Sequence, residues 1–270
     1  MVQGHYGRGG VLDRILAALE QAGCNLEKLN YQDLFPFDQL HARGIAATRE
    51  QAQRAGIRVD MHVLDVGCGI GAASRYLAAT TGCRVTSVDL TQEFVDVARE
   101  LTRRCGLGNR VLYRQANALH QPFADGTFDH VWCHNVTMNI QDKKALAAEV
   151  ARVLRPGGRF SCSELARGPT SEPTYPSPWA TDSSSSFLAT PAEMRAALEA
   201  GGLRVVEEID LTDANRRSVE EVRQRAQRGE PPLQAGQVVM GKEHSIRLAN
   251  SIKGIMDGAL LEHLYIAEKP

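Results

Sequence analysis

Short apolar runs alternate along the chain with segments whose apolar residues recur every three or four positions. Short apolar runs are typical of buried parallel strands, and the wider spacing is typical of helices with one buried face. We predict strands over residues 63–66, 83–88, 111–114, 128–133, 159–165, 203–211 and 263–268. Helices are predicted between them, so the pattern indicates an α/β fold with a mostly parallel sheet covered on both faces.

The regions outside this alternation predict additions to the sheet. Leu12, Ile15, Leu16 and Leu19 form a helical stripe within residues 11–22, and a second helix is expected over 46–55. Because both precede the first strand, residues 1–57 are predicted to form a helical N-terminal cap. Residues 58–270 form the main domain, which contains a turn at R-P-G-G (155–158) and a helical insertion at 212–258.

Residues 166–190 are rich in Pro, Ser and Thr and contain three aromatic residues. Such a segment is either a disordered linker or a lid over a binding site. Aromatic side chains in a polar loop favour the lid. The three residues that would then contact a substrate are Tyr175, Trp179 and Phe187.

The first strand runs into a glycine-rich turn, V-L-D-V-G-C-G-I-G, followed by a helix. A strand that turns through glycines into a helix offers free backbone N–H groups and the positive end of the helix dipole to a ligand. This pattern predicts a nucleotide-type pocket. The G-x-G-x-G spacing differs from the G-x-G-x-x-G of dinucleotide-binding enzymes, which argues against an NAD-linked dehydrogenase.

Acidic residues end or nearly end the first two strands. Asp65 precedes the glycines, where it can receive an ammonium group or a bound water, and Asp89 follows the second strand, where a carboxylate can accept both hydroxyls of a ribose. Acidic residues at one edge of a sheet are costly to bury without a partner. We therefore expect both to serve a ligand.

Together, V-L-D-V-G-C-G-I-G and the later S-V-D-L resemble the class I S-adenosylmethionine-dependent methyltransferases. The resemblance implies a Rossmann-like, doubly wound sheet of seven strands with an antiparallel last strand. It also implies S-adenosylmethionine as cofactor and S-adenosylhomocysteine as product. The residues it assigns to the cofactor are Asp65, Gly67, Cys68, Gly69, Gly71, Asp89, Leu90, Asn117, Ala118, Cys133 and Met138. At Asn117 the family commonly has an acidic residue, but an amide oxygen can still accept from the adenine amine.

Further motifs, including D-Q-L-H-A-R-G-I-A-A-T-R-E and H-N-V-T-M-N-I-Q-D-K, resemble a small-molecule subgroup of that family. Its members are similar to sarcosine/dimethylglycine N-methyltransferases and to methyltransferases of ubiquinone and menaquinone biosynthesis. The subgroup implies a small acceptor, such as an amine. Because acceptor pockets lie in variable caps, O- or C-methylation of a secondary metabolite stays open.

Methyl transfer from a sulfonium needs mainly in-line positioning and desolvation, with a base only if the nucleophile arrives protonated. His134 follows the fourth strand, where it is either that base, a polar wall of the acceptor pocket or a packed loop residue. Asn135 either orients the acceptor or caps the next helix, and His41 either touches the acceptor or makes a helix-entry hydrogen bond. We add Tyr6 and Met240 to the candidates for substrate contact.

Composition limits the classes of partner that the protein could bind. A formal net charge of −1 argues against a nucleic-acid footprint, and no window is long and apolar enough to span a membrane. The first residues lack the layout of a signal peptide, and six scattered cysteines predict reduced thiols and no metal site. We expect a cytoplasmic enzyme, a monomer or a homodimer, with a small molecule as partner. A cofactor-binding protein without transferase activity is the alternative from a different class.

Overall fold

The computed structural model describes residues 9–229 and 235–270. Within this part of the chain, seven strands form one sheet in the order β3-β2-β1-β4-β5-β7-β6. Strands β1 to β5 are parallel, and β7 is antiparallel to both β5 and β6. The strands are β1 His62–Val66, β2 Arg84–Asp89, β3 Val111–Gln115, β4 Phe128–His134, β5 Leu154–Arg167, β6 Arg204–Asp210 and β7 Leu260–Glu268. The predicted doubly wound sheet with an antiparallel last strand is confirmed.

Helices connect the strands and cover both faces of the sheet. In the described residues they are α1 Val11–Gln21, α2 Phe35–Asp38, α3 Ile45–Ala55, α4 Ala72–Thr81, α5 Gln92–Arg104, α6 Lys143–Val153, α7 Pro191–Ala200, α8 Thr212–Gln227, α9 Ala235–Met240 and α10 His244–Asp257. One core lies between the sheet and α6 and α7, and includes Val131, Leu146 and Leu198. A second, which includes Trp132 and Leu77, lies between the other face and α4 and α5.

The N-terminal helices share a core with elements of the main domain. Val11, Ile15 and Leu19 of α1 pack with apolar residues of α5 and α9. A buried ion pair also joins the two regions, because Arg75 of α4 lies 2.9 Å from Asp38 of α2. The N-terminal cap therefore packs beside the turn that follows β1.

Residues 155–158, where we predicted a turn, form an irregular segment inside β5, which begins at Leu154. Gly157 adopts a positive φ of 72°, and its N–H donates to the Lys269 carbonyl at 2.9 Å. The register against β4 also shifts between Phe128 and His130. Between these two pairs β4 advances by two residues and β5 by five, so the predicted turn is present as a bulge within β5.

Hydrogen bonds from α10 hold the segment between β5 and α7 in place. Arg247 is buried and donates to the carbonyls of Ser177 at 2.8 Å and Ala180 at 3.2 Å. Trp179 donates through Nε1 to Ser186 Oγ at 2.9 Å. Among the described residues no helix is long and apolar enough to cross a membrane.

Candidate functional site

The glycines between β1 and α4 have different surroundings. Gly67 has a φ of 73°, and a Cβ there would lie 2.4 Å from Val136 Cγ2. At Gly71 a Cβ would lie 2.4 Å from the Tyr113 hydroxyl oxygen. Gly69 also has a positive φ, 52°, but the nearest atom to a Cβ there is Leu40 Cδ1 at 3.8 Å. The outer glycines thus permit close packing, whereas a Cβ at Gly69 would make only an ordinary van der Waals contact.

The Asp89 carboxylate is fixed beside Gly69. Its Oδ2 accepts from the Gly69 N–H at 2.9 Å, and its Oδ1 accepts from the Thr91 N–H at 2.8 Å. Each carboxylate oxygen retains capacity for a further donor. Burial raises the pKa of Asp89, and Leu90 beside it is exposed. The site therefore presents a pre-oriented acceptor at the carboxyl end of β2.

Asp65 lies below the turn and is only 2% exposed. Its Oδ2 accepts from Ser74 Oγ at 2.5 Å, and Ser74 Oγ lies 2.9 Å from Ser87 Oγ. Burial raises the pKa of Asp65 to about 7. In this position the carboxyl joins β1 to the first turn of α4.

The remaining residues assigned to the cofactor are placed in several environments. Asn117 is exposed after β3, and its Oδ1 accepts from the Leu119 N–H at 3.0 Å, while Ala118 is half-buried against the core. Cys68 is buried in the turn, with its Sγ 3.6 Å from the Gly69 carbonyl oxygen. The Cys133 side chain is buried in the core beneath α6 and α7, so only its backbone faces the other elements of the site.

Two histidines predicted as separate candidates form a stacked pair. The rings of His41 and His134 have centroids 3.8 Å apart and planes 18° apart. Burial lowers the pKa of His41 to about 4 and that of His134 well below its usual value. His41 lies 3.1 Å from both the Ala42 carbonyl and Thr48 Oγ1, but His134 Nδ1 is buried without a hydrogen-bond partner in the described chain. Both rings are therefore neutral near pH 7, and His134 retains one free nitrogen.

Asn135 has a positive φ of 53°, and its N–H donates to the Ser163 carbonyl at 2.8 Å. This conformation turns the chain out of β4 into a short 3₁₀ helix, Thr137–Asn139, and places Val136 against Gly67. The alternative that Asn135 caps the next helix is wrong, because Asp142 caps α6 by accepting from the Ala145 N–H.

The aromatic residues of the predicted lid pack beside Met138. Met138 and Trp179 are buried in one apolar cluster with Leu165, and Tyr175 packs against it. The Phe187 N–H donates to the Met138 carbonyl at 2.8 Å. Met240, in contrast, packs with α1 in a different cluster, and Tyr6 lies outside the described residues.

Buried charged residues near the histidines were missed by the sequence reading. Arg43 lies two residues after His41, and Glu262 of β7 is 2% exposed. The sequence signal was a glutamate inside the apolar run L-L-E-H-L-Y-I-A. Within the described part of the chain, no three metal-ligating side chains are grouped closely enough to hold a metal ion.

With this geometry in place, comparison with known proteins defines the class. Residues 64–162 match the family described as methyltransferase domain. This segment contains the glycine turn, Asp89 and the end of β4. This segment is therefore similar to a methyltransferase domain, which agrees with the resemblance predicted from the sequence.

Individual relatives agree with this class. The chain is 35% identical over 135 residues to methyltransferase GfsG of Streptomyces halstedii, covering 50% of this chain and 49% of the relative. It is 30% identical over 171 residues to O-methyltransferase resE of Aspergillus sclerotiorum, covering 62% of this chain and 63% of the relative. The matches thus span about half to two thirds of these relatives' lengths.

A solved structure shows the same fold over a longer stretch. The geranyl diphosphate C-methyltransferase from Streptomyces coelicolor A3(2) superposes with a TM-score of 0.71 at 20% identity, covering 100% of this chain and 96% of that chain. At this identity the likeness shows the fold alone.

Proposed function

We propose that the protein is an S-adenosylmethionine-dependent methyltransferase that acts on a small-molecule acceptor. The observation that carries the proposal is the Asp89 carboxylate held by the Gly69 N–H, in the glycine-rich turn at the carboxyl ends of β1 and β2. This arrangement lies within the segment that matches a methyltransferase domain.

The residues of the turn suit a nucleoside that carries an amino-acid chain. Asp89 offers carboxylate oxygens to the ribose hydroxyls, and Gly69, which has no side chain, lets the ligand approach the backbone of the turn. Asn117 lies at the exposed end of β3, where its side chain is available to the adenine. When bound, the cofactor supplies an activated methyl group, so the protein needs mainly to orient the acceptor and exclude water.

His134 is our candidate for the residue that handles the acceptor's proton. Its imidazole is neutral near pH 7 because burial lowers its pKa, and its Nδ1 has no partner in the described residues. A neutral ring nitrogen can accept a hydrogen bond or a proton from a nucleophile. His41 keeps the ring in place by stacking on it.

We favour an amine as the acceptor. Trp179 and Tyr175 lie together near Met138, and aromatic rings attract cationic amines. O- and C-methylation remain alternatives, since the names of the relatives and of the solved structure include both. We place the enzyme in the cytoplasm and in secondary metabolism, because all six cysteines are free thiols and its matches include O-methyltransferase resE.

The test measures S-adenosylhomocysteine release from purified protein with S-adenosylmethionine and a panel of small amines, phenols and hydroxylated metabolites. We expect release with at least one amine, and a reduced rate with unchanged cofactor affinity for His134→Ala. Release with phenols alone would assign O-methylation. Cofactor binding without release from any acceptor would overturn the transferase proposal, and gel filtration would separate monomer from homodimer.

A further inference from the structure

Three charged residues form a buried group on the sheet face that carries His134. We call Arg43, Glu50 and Glu262 the Arg43 cluster. Arg43 lies 2.5 Å from Glu50 and 3.5 Å from Glu262, measured between guanidinium nitrogens and carboxylate oxygens. Glu262 is the most buried of the three, with 3% of its side chain exposed, against 10% for Arg43 and 26% for Glu50.

The strand register places this cluster next to the candidate acceptor site. His134 pairs with Ser163, Ser163 pairs with Leu264, and Leu165 pairs with Glu262. Because paired residues and residues two apart share a face, His134, Leu165 and Glu262 lie on the same side of the sheet. Arg43 also helps to lower the pKa of His134, which is expected only if the two are close.

The two carboxylates of the cluster are not paired equally. Glu50 is paired with both Arg43 and Arg54, whereas the ion-pair partner of Glu262 in the described part of the chain is Arg43 alone, at the longer distance. Glu262 Oε2 and Nδ2 of the nearby Asn215 side chain are both fully buried, and within the described part of the chain neither atom makes a hydrogen bond of normal geometry. A buried acceptor that lacks a donor costs free energy, so such atoms usually meet a ligand or water.

Apolar residues lie next to Glu262 in the sheet. Leu165, the cross-strand partner of Glu262, packs with Met138 and Trp179. The site therefore combines one buried carboxylate oxygen with an apolar wall. This combination suits a cationic amine that carries an apolar group, because the ammonium can donate to the carboxylate while the rest of the molecule leaves water.

We propose that Glu262 recognises the acceptor of the methyl group by accepting a hydrogen bond from its amine. The inference rests on the proposed function and adds a specificity residue that lies on β7, outside the glycine turn and the histidine pair. Arg43 holds the Glu262 carboxylate in position, and Glu50 anchors Arg43 from the partly exposed side.

The experiment compares an amine with its neutral counterpart of the same shape. Wild-type protein saturated with S-adenosylhomocysteine is titrated at pH 8 with phenethylamine and 2-phenylethanol, and with propylamine and propanol, by ligand-observed NMR. The variants are Glu262→Gln and, as a matched control that also removes a partner of Arg43, Glu50→Gln. Affinity for S-adenosylhomocysteine and near-UV circular dichroism report whether each variant is folded.

We expect wild type to bind at least one amine tenfold more tightly than its alcohol, and Glu262→Gln to reduce this preference to less than twofold. Glu50→Gln should keep most of it. If Glu262→Gln does not fold, Glu262→Asp is the substitute, because it keeps the charge but moves it farther from the bound amine. This variant should show an intermediate preference for the amine over the alcohol. Equal binding of amine and alcohol by wild type, or an unchanged preference in the folded Glu262 variants, would overturn the proposal. Either result leaves cofactor binding intact, so it is distinct from failure of the proposed function.

Discussion

The two glycines that flank Cys68 provide a test of how the turn is built. Gly67→Ala would place a Cβ 2.4 Å from Val136 Cγ2 and 2.8 Å from Cγ1, whereas Gly69→Ala would meet nothing closer than 3.8 Å. Both positions have positive φ, so each alanine costs about 1–2 kcal/mol of backbone strain. Only Gly67→Ala adds overpacking, which costs about 1–3 kcal/mol more.

We therefore expect the free energy of unfolding to fall by about 2–5 kcal/mol for Gly67→Ala and by about 1–2 kcal/mol for Gly69→Ala. Urea unfolding followed by tryptophan fluorescence measures both. Val136→Ala removes the two methyl groups that a Cβ at position 67 would strike. The double variant Gly67→Ala/Val136→Ala should therefore be more stable, by about 1–3 kcal/mol, than the sum of the two single effects predicts.

The affinity for S-adenosylhomocysteine provides a second test of this turn. Because an added methyl group at Gly69 would stand where we place the cofactor, Gly69→Ala should weaken S-adenosylhomocysteine binding at least tenfold in calorimetry, although its stability changes less than that of Gly67→Ala. Equal stability of the two alanine variants, or no coupling with Val136→Ala, would refute the packing argument. Wild-type affinity in Gly69→Ala would refute the placement of the ligand.

Three further changes test neighbouring parts of the site. Asp89→Ala removes the oriented carboxylate and should weaken S-adenosylhomocysteine binding by about 1.5–3 kcal/mol in calorimetry; an unchanged affinity would contradict its assignment to the ribose. Asp65 has a folded-state pKa of about 7, above the value of about 3.9 for a free aspartate, so wild type loses stability as the pH rises between these values. Between pH 4 and pH 8, the free energy of unfolding of Asp65→Asn in urea should therefore rise relative to that of wild type by at most about 4 kcal/mol. A difference between the two proteins that does not change with pH would exclude this pKa shift. Lys143 donates to the carbonyls of Thr137, Ile140 and Phe187, so Lys143→Met should speed hydrogen exchange over residues 183–190, whereas Lys144→Met at the exposed neighbouring position should not.

The sheet was predictable because its signals are local. Each buried strand is a short apolar run, and each covering helix repeats its apolar residues at its own period. The segment 155–158 is only partly local, because its Pro-Gly-Gly sequence predicts the turn but not the strand pairing around it. The Gly157 N–H donates to the Lys269 carbonyl, and the Gly158 carbonyl accepts from the Lys269 N–H, a pairing with the far end of the chain that no local pattern contains.

The candidate site was only partly predictable. The glycine turn and Asp89 follow directly from the order of residues, since the carboxyl ends of parallel strands meet at one edge of the sheet. The stacking of His41 on His134, and the orientation of Cys133 into the core, depend on how the cap and the sheet pack.

By itself, the sequence determined the class of fold, the position of the nucleotide-type turn and the two carboxylates beside it, because these depend on neighbouring residues and strand order. Only the tertiary structure decided which buried charges share an environment. Arg43 and Glu262 come from opposite ends of the chain, and their proximity arises because α3 and the loop before it pack over β5 and β7. Burial then removes the water that would otherwise satisfy Glu262, which makes its unpartnered oxygen a feature of the folded protein alone.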